Sequence, residues 1–355
     1  MNIVHLITTI ERGGAENQLL ILCQEQIRIG NEVIVFYLKG EPQLEAALKK
    51  IGVRSYKVAG NSLISQSFFF KRELKMIKPD VVHAHLPRSE LIAVLARTKI
   101  PLVVSRHNAE YFFNSAPRFI SSFLARFSSK HSNTGIAISQ SVRTFLFAAH
   151  EVAKDKEFHV VTYGYNFTRV NRQYDKKAHP NRYKLLAIGR LVPQKDYPTM
   201  LRGLSLLASQ EIDFEISILG DGEKKVELRK LSGQLKLEKR IFWIGKVENT
   251  KSFYEKSDLF ILASRYEGFG MVLVEAMDHS LPIVCANSPA AIEVLGGDYP
   301  GLFEIGNPQD LAKKLSWALE NSSELVRALH DRKRFFVASN MARKVQEIYE
   351  SIQVH

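Results

Sequence analysis

Two doubly wound α/β domains, each a parallel sheet covered by helices on both faces, are the fold this sequence predicts. Three observations predict it. Short apolar runs alternate with helix-period segments from one end of the chain to the other. The alternation breaks once, near residue 166, in a polar stretch, and then restarts. The chain has 355 residues, more than one hydrophobic core ordinarily serves.

The elements follow in order. Asn2–Ile7, Glu32–Tyr37, Val81–Ala84, Leu102–Arg106, Thr134–Ile138 and Phe158–Tyr163 read as strands, being short, apolar and bounded by polar turns. Ala15–Ile29, Phe69–Ile77, Ser89–Arg97 and Gln140–Ala149 carry helix-period apolar points between them. Residues 166–182 hold five lysines and arginines and a single proline, and read as a linker. Strands resume at Tyr183–Ile188, Phe214–Leu219, Ile241–Gly245, Leu259–Ala263 and Pro282–Ala286. From about Arg334 to Ile352 the pattern is helical again, with Phe335, Phe336, Ala342, Val345, Ile348 and Tyr349 as its apolar points. The expected organisation is therefore a first domain at 1–165, a linker at 166–182, a second domain at 183–333 and a terminal helical segment at 334–355. Open sheets of this kind bind ligands beyond the carboxyl ends of their strands, so two of them are expected to face one cleft.

Bulk properties narrow the function. No apolar run is long enough to cross a bilayer, and the first residues lack the basic start and cleavage site of a secretory signal. Cys23 and Cys285 make neither a disulfide framework nor a metal site, which suits a reducing cytoplasm. The formal net charge of +12 asks for an anionic partner: nucleic acid, an anionic membrane or an anionic substrate. The basic residues are dispersed, and zinc-finger spacing and RNA-binding signatures are missing, so nucleic acid is not expected.

The most specific stretch is Ser264-Arg265-Tyr266-Glu267-Gly268-Phe269-Gly270-Met271-Val272-Leu273-Val274-Glu275-Ala276-Met277. It leaves a buried strand, turns through two glycines and enters a helix. Amides at a helix start and the helix dipole favour a phosphate, and glycines allow close approach. Carboxylates at each end of such a cradle suit a ligand with hydroxyls on both sides of its phosphates, as in a nucleotide-diphosphate sugar. Glu-x7-Glu with an internal Glu-Gly-Phe-Gly resembles the donor-site motif of family 4 glycosyltransferases, enzymes of the GT-B architecture with two Rossmann-like domains. The resemblance covers the whole chain, with its specific motifs concentrated in residues 185–280.

The resemblance implies roles. Gly189-Arg190-Leu191 and Lys195-Asp196 match the family segment whose cations neutralise the leaving nucleoside diphosphate; Arg190 binds through a fork and Lys195 as a point charge. Glu267 with the amides of Gly268, Phe269, Gly270, Met271 and Val272 would hold the hexose and its phosphate. Glu275 would accept bonds from the ribose. Gly13 and Gly14 match a Gly-Gly loop beside the diphosphate, Gly220 a Gly-Asp-Gly turn near the nucleoside, and His107 an active-site histidine near the hexose. His83 and His85 share one strand face, a spacing a metal can use, but no third ligand is placed beside them, and no metal site or cofactor is expected.

The expected activity is transfer of a hexose or N-acetylhexosamine, with retention and without a metal, from a UDP- or GDP-linked donor. The acceptor would be a hydroxyl of a glycan or lipid-linked molecule, in cell-surface polysaccharide synthesis. The family's terminal helix crosses back to the first domain. Two alternatives stand beside it. A nucleotide-sugar epimerase of the same fold needs an acid/base pair that the sequence does not place. A nicotinamide oxidoreductase needs a Gly-x-Gly-x-x-Gly that it lacks. The segment Ala116–Lys130 puts Phe119, Ile120, Phe123, Leu124 and Phe127 on one helical face, with Arg118, Arg126 and Lys130 around it. Such a face either packs on the first sheet or lies on an anionic membrane, making the enzyme cytoplasmic and peripheral.

Overall fold

The computed structural model describes residues 1–168 and 182–353; most of the expected linker, 169–181, lies outside them. In chain order the elements are β1 (Asn2–Ile7), α1 (Gly14–Arg28), β2 (Glu32–Tyr37), α2 (Glu45–Lys50), β3 (Arg54–Lys57), α3 (Leu63–Ile77), β4 (Val81–His85), α4 (Pro87–Ala96), β5 (Leu102–Arg106), α5 (Arg118–Lys130), β6 (Thr134–Ala137), α6 (Gln140–Ala148) and β7 (Phe158–Val160). There follow β8 (Tyr183–Ile188), α7 (Tyr197–Ala208), β9 (Phe214–Leu219), α8 (Lys225–Gln234), β10 (Ile241–Gly245), α9 (Lys251–Lys256), β11 (Leu259–Leu262), α10 (Met271–Asp278), β12 (Ile283–Ala286), α11 (Pro289–Leu295), β13 (Leu302–Phe303), α12 (Pro308–Glu320), α13 (Ser322–His330) and α14 (Ala338–Ser351).

The chain divides into two compact units, one of Met1–Asn166 with Phe336–His355, the other of Phe167–Phe335. The first holds a parallel sheet in the order β3-β2-β1-β4-β5-β6-β7, the second one in the order β10-β9-β8-β11-β12-β13. Each is doubly wound. The chain steps outward from the first strand, then returns to that strand's other side, which leaves a switch point between β1 and β4 and another between β8 and β11. Right-handed crossovers put α1 and α2 on one face of the first sheet and α3 to α6 on the other.

Helix α14 packs on α1. Its Met341, Val345 and Tyr349 complete a core with Ile3, Val35, Val81, Val103 and Ile136. Burial on both sheet faces explains why these strands read as continuous apolar runs. The second core is built likewise on Leu185, Ile216, Phe260 and Val284.

Departures from the expected elements have local causes. Strand β3 is Arg-Ser-Tyr-Lys, a largely exposed edge with little apolar signal, and β13 has two residues. Helix α3 begins at Leu63 instead of Phe69, because the Ser62 hydroxyl accepts from Ser65 N and the Ser65 hydroxyl in turn takes Ser62 N. The ladder that starts at Phe158 ends at Val160. The terminal segment is a 3-10 turn over Lys333–Phe336 followed by α14.

Candidate active site

At the second switch point, loops from two neighbouring strands are tied together. After β8 the chain runs Gly189–Asp196, ending in a 3-10 turn at Pro193–Lys195; after β11 it runs Ala263–Gly270. Arg265 N donates to Gln194 O at 2.9 Å, and Gln194 Nε2 donates to Tyr266 O at 2.8 Å. Arg265 Nε bonds Asp196 Oδ2 at 3.0 Å, and that same carboxylate caps α7 through Thr199. Lys195 Nζ lies 2.5 Å from Glu267 Oε1, with both side chains mostly buried. A pair so placed fixes the position of the ammonium beside the carboxylate. Arg190 lies in the same loop and is exposed. Ser264 Oγ is buried beside Glu267 and has no hydrogen-bond partner among the described residues, which is costly unless a ligand or water supplies one.

Helix α10 begins at Met271, with Gly270 in a left-handed conformation as its cap. Phe269 is buried; Gly268, Met271 and Val272 are half-buried. Glu275 stands just over one turn in, where its Oε2 accepts from Tyr254 OH at 2.9 Å. Burial raises the Glu275 carboxyl above its ordinary range, and the tyrosine bond works against that rise. Gly220 has φ +133, and a Cβ there would meet Gly189 O at 2.0 Å. The Gly-Asp-Gly turn therefore serves, before any ligand arrives, to seat the loop that carries Arg190.

The first switch point is open, and its wall carries Lys39, Arg88, Arg106 and Glu110. A cavity of about 430 Å3 lies there, lined among others by Thr8, Thr9, Arg88, Ser105, His107 and Asn108. Gly13 precedes α1, and a Cβ on it would come 2.3 Å from Glu16 Oε2; Gly14 faces open space. Glu16 also accepts from Thr9 Oγ1 at 2.6 Å, which folds its carboxylate back onto the loop.

Beneath the cavity lies a chain of buried imidazoles. Sheet register sets His5 beside His83 and Ile7 beside His85. The ring bonds run Gln26 Oε1 to His5 Nε2 (2.8 Å), His5 Nδ1 to His85 Nε2 (2.9 Å), His85 Nδ1 to His107 Nε2 (3.2 Å) and His107 Nδ1 to Tyr163 OH (2.6 Å). With the carbonyl of Gln26 only able to accept, the direction is fixed throughout. His5 donates to Gln26, His85 to His5, His107 to His85 and Tyr163 to His107. Every ring is then neutral. Burial pushes His5 down to about 4 and His107 down to about 3, and lowers His83 and His85 well below the usual histidine range. His83 bonds Tyr349 OH and Ser105 Oγ.

Both ring nitrogens of His107, the residue expected near the hexose, are bonded here, to His85 and Tyr163. One sequence expectation changes. No third ligand was expected beside His83 and His85, yet His5 brings its ring there, and one ligand atom from each of the three lies within 4.8 Å of the others. Their nitrogens are already bonded, those of His5 and His85 to each other and to Gln26 and His107, those of His83 to Tyr349 and Ser105, and a buried dication would have no carboxylate among its neighbours in this chain of bonds. The structure brings together Gly189, Lys195, Gly220 and Glu267, and places Glu275 on the following helix. Gln194, Ser264 and the Asp196–Arg265 pair were given no role, although Asp196, Ser264 and Arg265 all lay within the motifs.

Two doubly wound parallel-sheet units, one with a cation–carboxylate pair at its switch point, are the parts of the GT-B architecture. Residues 12–191 match the model described as Glycosyltransferase Family 4, and residues 171–334 that of Glycosyl transferases group 1. The chain belongs to glycosyltransferase family 4. It is similar to an O-antigen biosynthesis glycosyltransferase, WclY, of Escherichia coli, at 30% identity over 43% of this chain and 44% of the relative. It also resembles the amylovoran biosynthesis glycosyltransferase AmsD of Erwinia amylovora, at 25% identity over 81% and 82%. An uncharacterized glycosyltransferase of Haemophilus influenzae is 29% identical, and the match spans about half of each chain. Among solved structures, Anabaena Alr3699/HepE in complex with UDP superposes with TM-score 0.80 at 18% identity over 99% and 100% of the two chains, a likeness of fold.

Proposed function

We propose that the protein transfers a hexose or N-acetylhexosamine from a nucleotide-diphosphate sugar, UDP- or GDP-linked, to a hydroxyl of a glycan or lipid-linked acceptor, with retention and without a metal. The observation that carries this reading is the Lys195–Glu267 pair at the second switch point, with Arg190 exposed in the same loop. In this reading Lys195 and Arg190 bind the diphosphate, whose negative charge grows as the glycosidic bond breaks. Fixed cations there lower the barrier without reorganising at the moment of reaction. Glu267, with Gly268, Phe269, Gly270, Met271 and Val272, holds the hexose and its phosphate. Glu275 accepts from ribose hydroxyls and exchanges its Tyr254 bond for them. Gly189 and Gly220 keep the cation loop in place; Gly13 and Gly14 admit the acceptor or the donor phosphate in the first unit. His107 lines the acceptor cavity and is held by Tyr163 until substrate competes for its Nδ1.

The names of the Escherichia and Erwinia relatives support a place in envelope polysaccharide synthesis. That setting suits an enzyme working from the cytoplasm at the inner face of the cell membrane. No helix among the described residues is long and apolar enough to cross a membrane. Incubation with a panel of nucleotide sugars tests the reading, with slow donor hydrolysis as the signal. One donor should be hydrolysed, in excess EDTA as in its absence, and proton NMR of a transfer product should show the donor's anomeric configuration. Activity lost in chelator and restored by magnesium or manganese overturns the metal-free site.

A further inference from the structure

Helix α5 is buried the wrong way round for an ordinary surface helix. Its inward side is Ser121, Ala125, Ser128 and Ser129, while Phe119 is 75% and Phe123 66% exposed. Ile120 is also exposed. Of the apolar face that was expected either to pack on the sheet or to lie on a membrane, Leu124 and Phe127 pack inward while Phe119, Ile120 and Phe123 stay exposed. Helix α3 does the same: Ile64 is 79% and Phe68 74% exposed, while Phe70 and Leu74 carry the packing. Single exposed apolar residues need no explanation, but a matching pair of stripes does.

The two stripes share one pattern. Ile64, Phe68, Lys71 and Lys75 fall at i, i+4, i+7 and i+11 of α3, and Phe119, Phe123, Arg126 and Lys130 at the same spacing of α5. Each helix thus presents two apolar side chains in its first half and two cations in its second. Both pack against α4, which is almost wholly buried, and Leu63 joins Leu124 and Phe127 around Leu91 and Phe112. Both helices start where the strands end, so both apolar halves lie at the edge of the sheet that carries the 430 Å3 cavity. At the opposite edge a second hollow, about 380 Å3, is lined by Lys71, Lys75, Lys78, Arg97 and Lys99, with no carboxylate in its wall. Glu73 is the sole acid of α3 and faces Arg72, and α5 has none. None of Lys71, Lys75, Arg126 or Lys130 meets a carboxylate among the described residues.

We infer that α3 and α5 together form a docking face for an anionic lipid bilayer. Ile64, Phe68, Phe119 and Phe123 enter the boundary between headgroups and acyl chains, and Lys71, Lys75, Arg126 and Lys130 rest on the lipid phosphates. The apolar ends, free of carboxylates, and the basic ends match the two layers a bilayer presents, and a surface whose charges are almost all cations is complementary to anionic headgroups. Docking by the apolar halves brings the edge that holds the cavity towards the lipid, where an acceptor anchored by its tail presents its headgroup. This deepens the peripheral-membrane reading and rests on it for the acceptor alone.

Sedimentation of the full chain with vesicles tests the face, using phosphatidylcholine alone and phosphatidylcholine mixed with phosphatidylglycerol. The wild type should pellet with the mixed vesicles and release as salt rises. The pair Lys71→Glu and Lys75→Glu, and separately Arg126→Glu and Lys130→Glu, should each weaken pelleting roughly tenfold or more. Phe119→Ser with Phe123→Ser should weaken it comparably and abolish the blue shift of a fluorophore attached beside them. All variants should keep wild-type donor hydrolysis in lipid-free solution, which shows that they fold. Pelleting that is indifferent to lipid charge and to the reversals overturns the proposal. So does a concentration-dependent dimer that Phe119→Ser with Phe123→Ser dissolves, which would make the face a contact between copies. Vesicle binding without any donor hydrolysis would leave the docking face standing and sink the transferase reading instead.

Discussion

The two switch points of this molecule have the same topology and opposite chemistry. Between β8 and β11 the loops are fixed by ion pairs, Lys195 to Glu267 and Arg265 to Asp196. Between β1 and β4 the comparable region is an open cavity over neutral imidazoles. A parallel doubly wound sheet supplies a crevice wherever strand order reverses. Which residues stand at the strand ends decides whether that crevice meets a polyanion or a neutral hydroxyl compound. The crevice of the second unit offers a cation fixed by a carboxylate, and that of the first an open wall where Thr8, Thr9 and Asn108 stand beside Lys39, Arg88 and Glu110.

The contrast breaks most decisively at Lys195. Lys195→Ala should lower kcat by roughly a hundredfold to a thousandfold, about 3–4 kcal/mol of barrier, if the cation acts on charge that develops as the diphosphate leaves. Arg190→Ala should lower kcat strongly as well, with little change in thermal stability, because Arg190 is exposed. Near wild-type turnover in both variants would reduce the charged crevice to a structural ion pair.

Acid should separate the units next. An imidazole kept below its ordinary pKa by folding binds fewer protons native than unfolded, so stability falls as pH drops below about 6.5. For His5 the loss continues down to about 4, and for His107 down to about 3. His5 alone corresponds to roughly 3 kcal/mol at that limit. Glu90, buried against Arg106, Glu151 and Ser128, works the opposite way. Its carboxyl is pushed up to about 7, so its contribution is present below its unfolded pKa and lost as pH rises through 7. Burial raises Glu151 as well, and two carboxyls offset only part of four imidazoles. Both tryptophans, Trp243 and Trp317, belong to the second unit. Between pH 6.5 and 4, hydrogen exchange in β1, β4 and α14 should therefore accelerate before tryptophan fluorescence reports unfolding. Simultaneous loss of both units would contradict this.

A smaller effect is expected at Glu275. Glu275→Ala should raise the donor KM by about five- to thirtyfold with kcat little changed, as for loss of one or two ground-state bonds. Equal loss in kcat would move Glu275 from ribose binding to the reacting centre. The smallest effect belongs to Tyr163→Phe, which removes the proton donated to His107 Nδ1. It should destabilise the first unit by about 1 kcal/mol and change kcat less than about threefold. A far larger kinetic loss would show that His107 needs Tyr163 during the chemistry.

Much of this was legible along the chain. Strands such as Leu102–Arg106 and Leu259–Leu262 are short, largely apolar runs because they are buried on both faces, and that burial writes itself into composition. The motif from Ser264 to Met277 was legible because its turn, its glycines and its helix start are local. Edge strands were less so: Arg54–Lys57 and Leu302–Phe303 bury too little for a pattern to record them.

The sequence by itself determined two doubly wound sheets, the order of their strands and helices, and the residue types at the strand ends. These depend on periodicity and on neighbours a few residues away, which a linear pattern carries. Tertiary structure alone decided which partners those residues meet. Lys195 finds Glu267, and His5, His85 and His107 line up between Gln26 and Tyr163, because sheet register sets distant strands side by side. It also decided that α5 turns Ser121, Ser128 and Ser129 inward and Phe119 and Phe123 outward. A helical wheel records that two faces differ, but only the packing of α4 between α3 and α5 fixes which of them is buried.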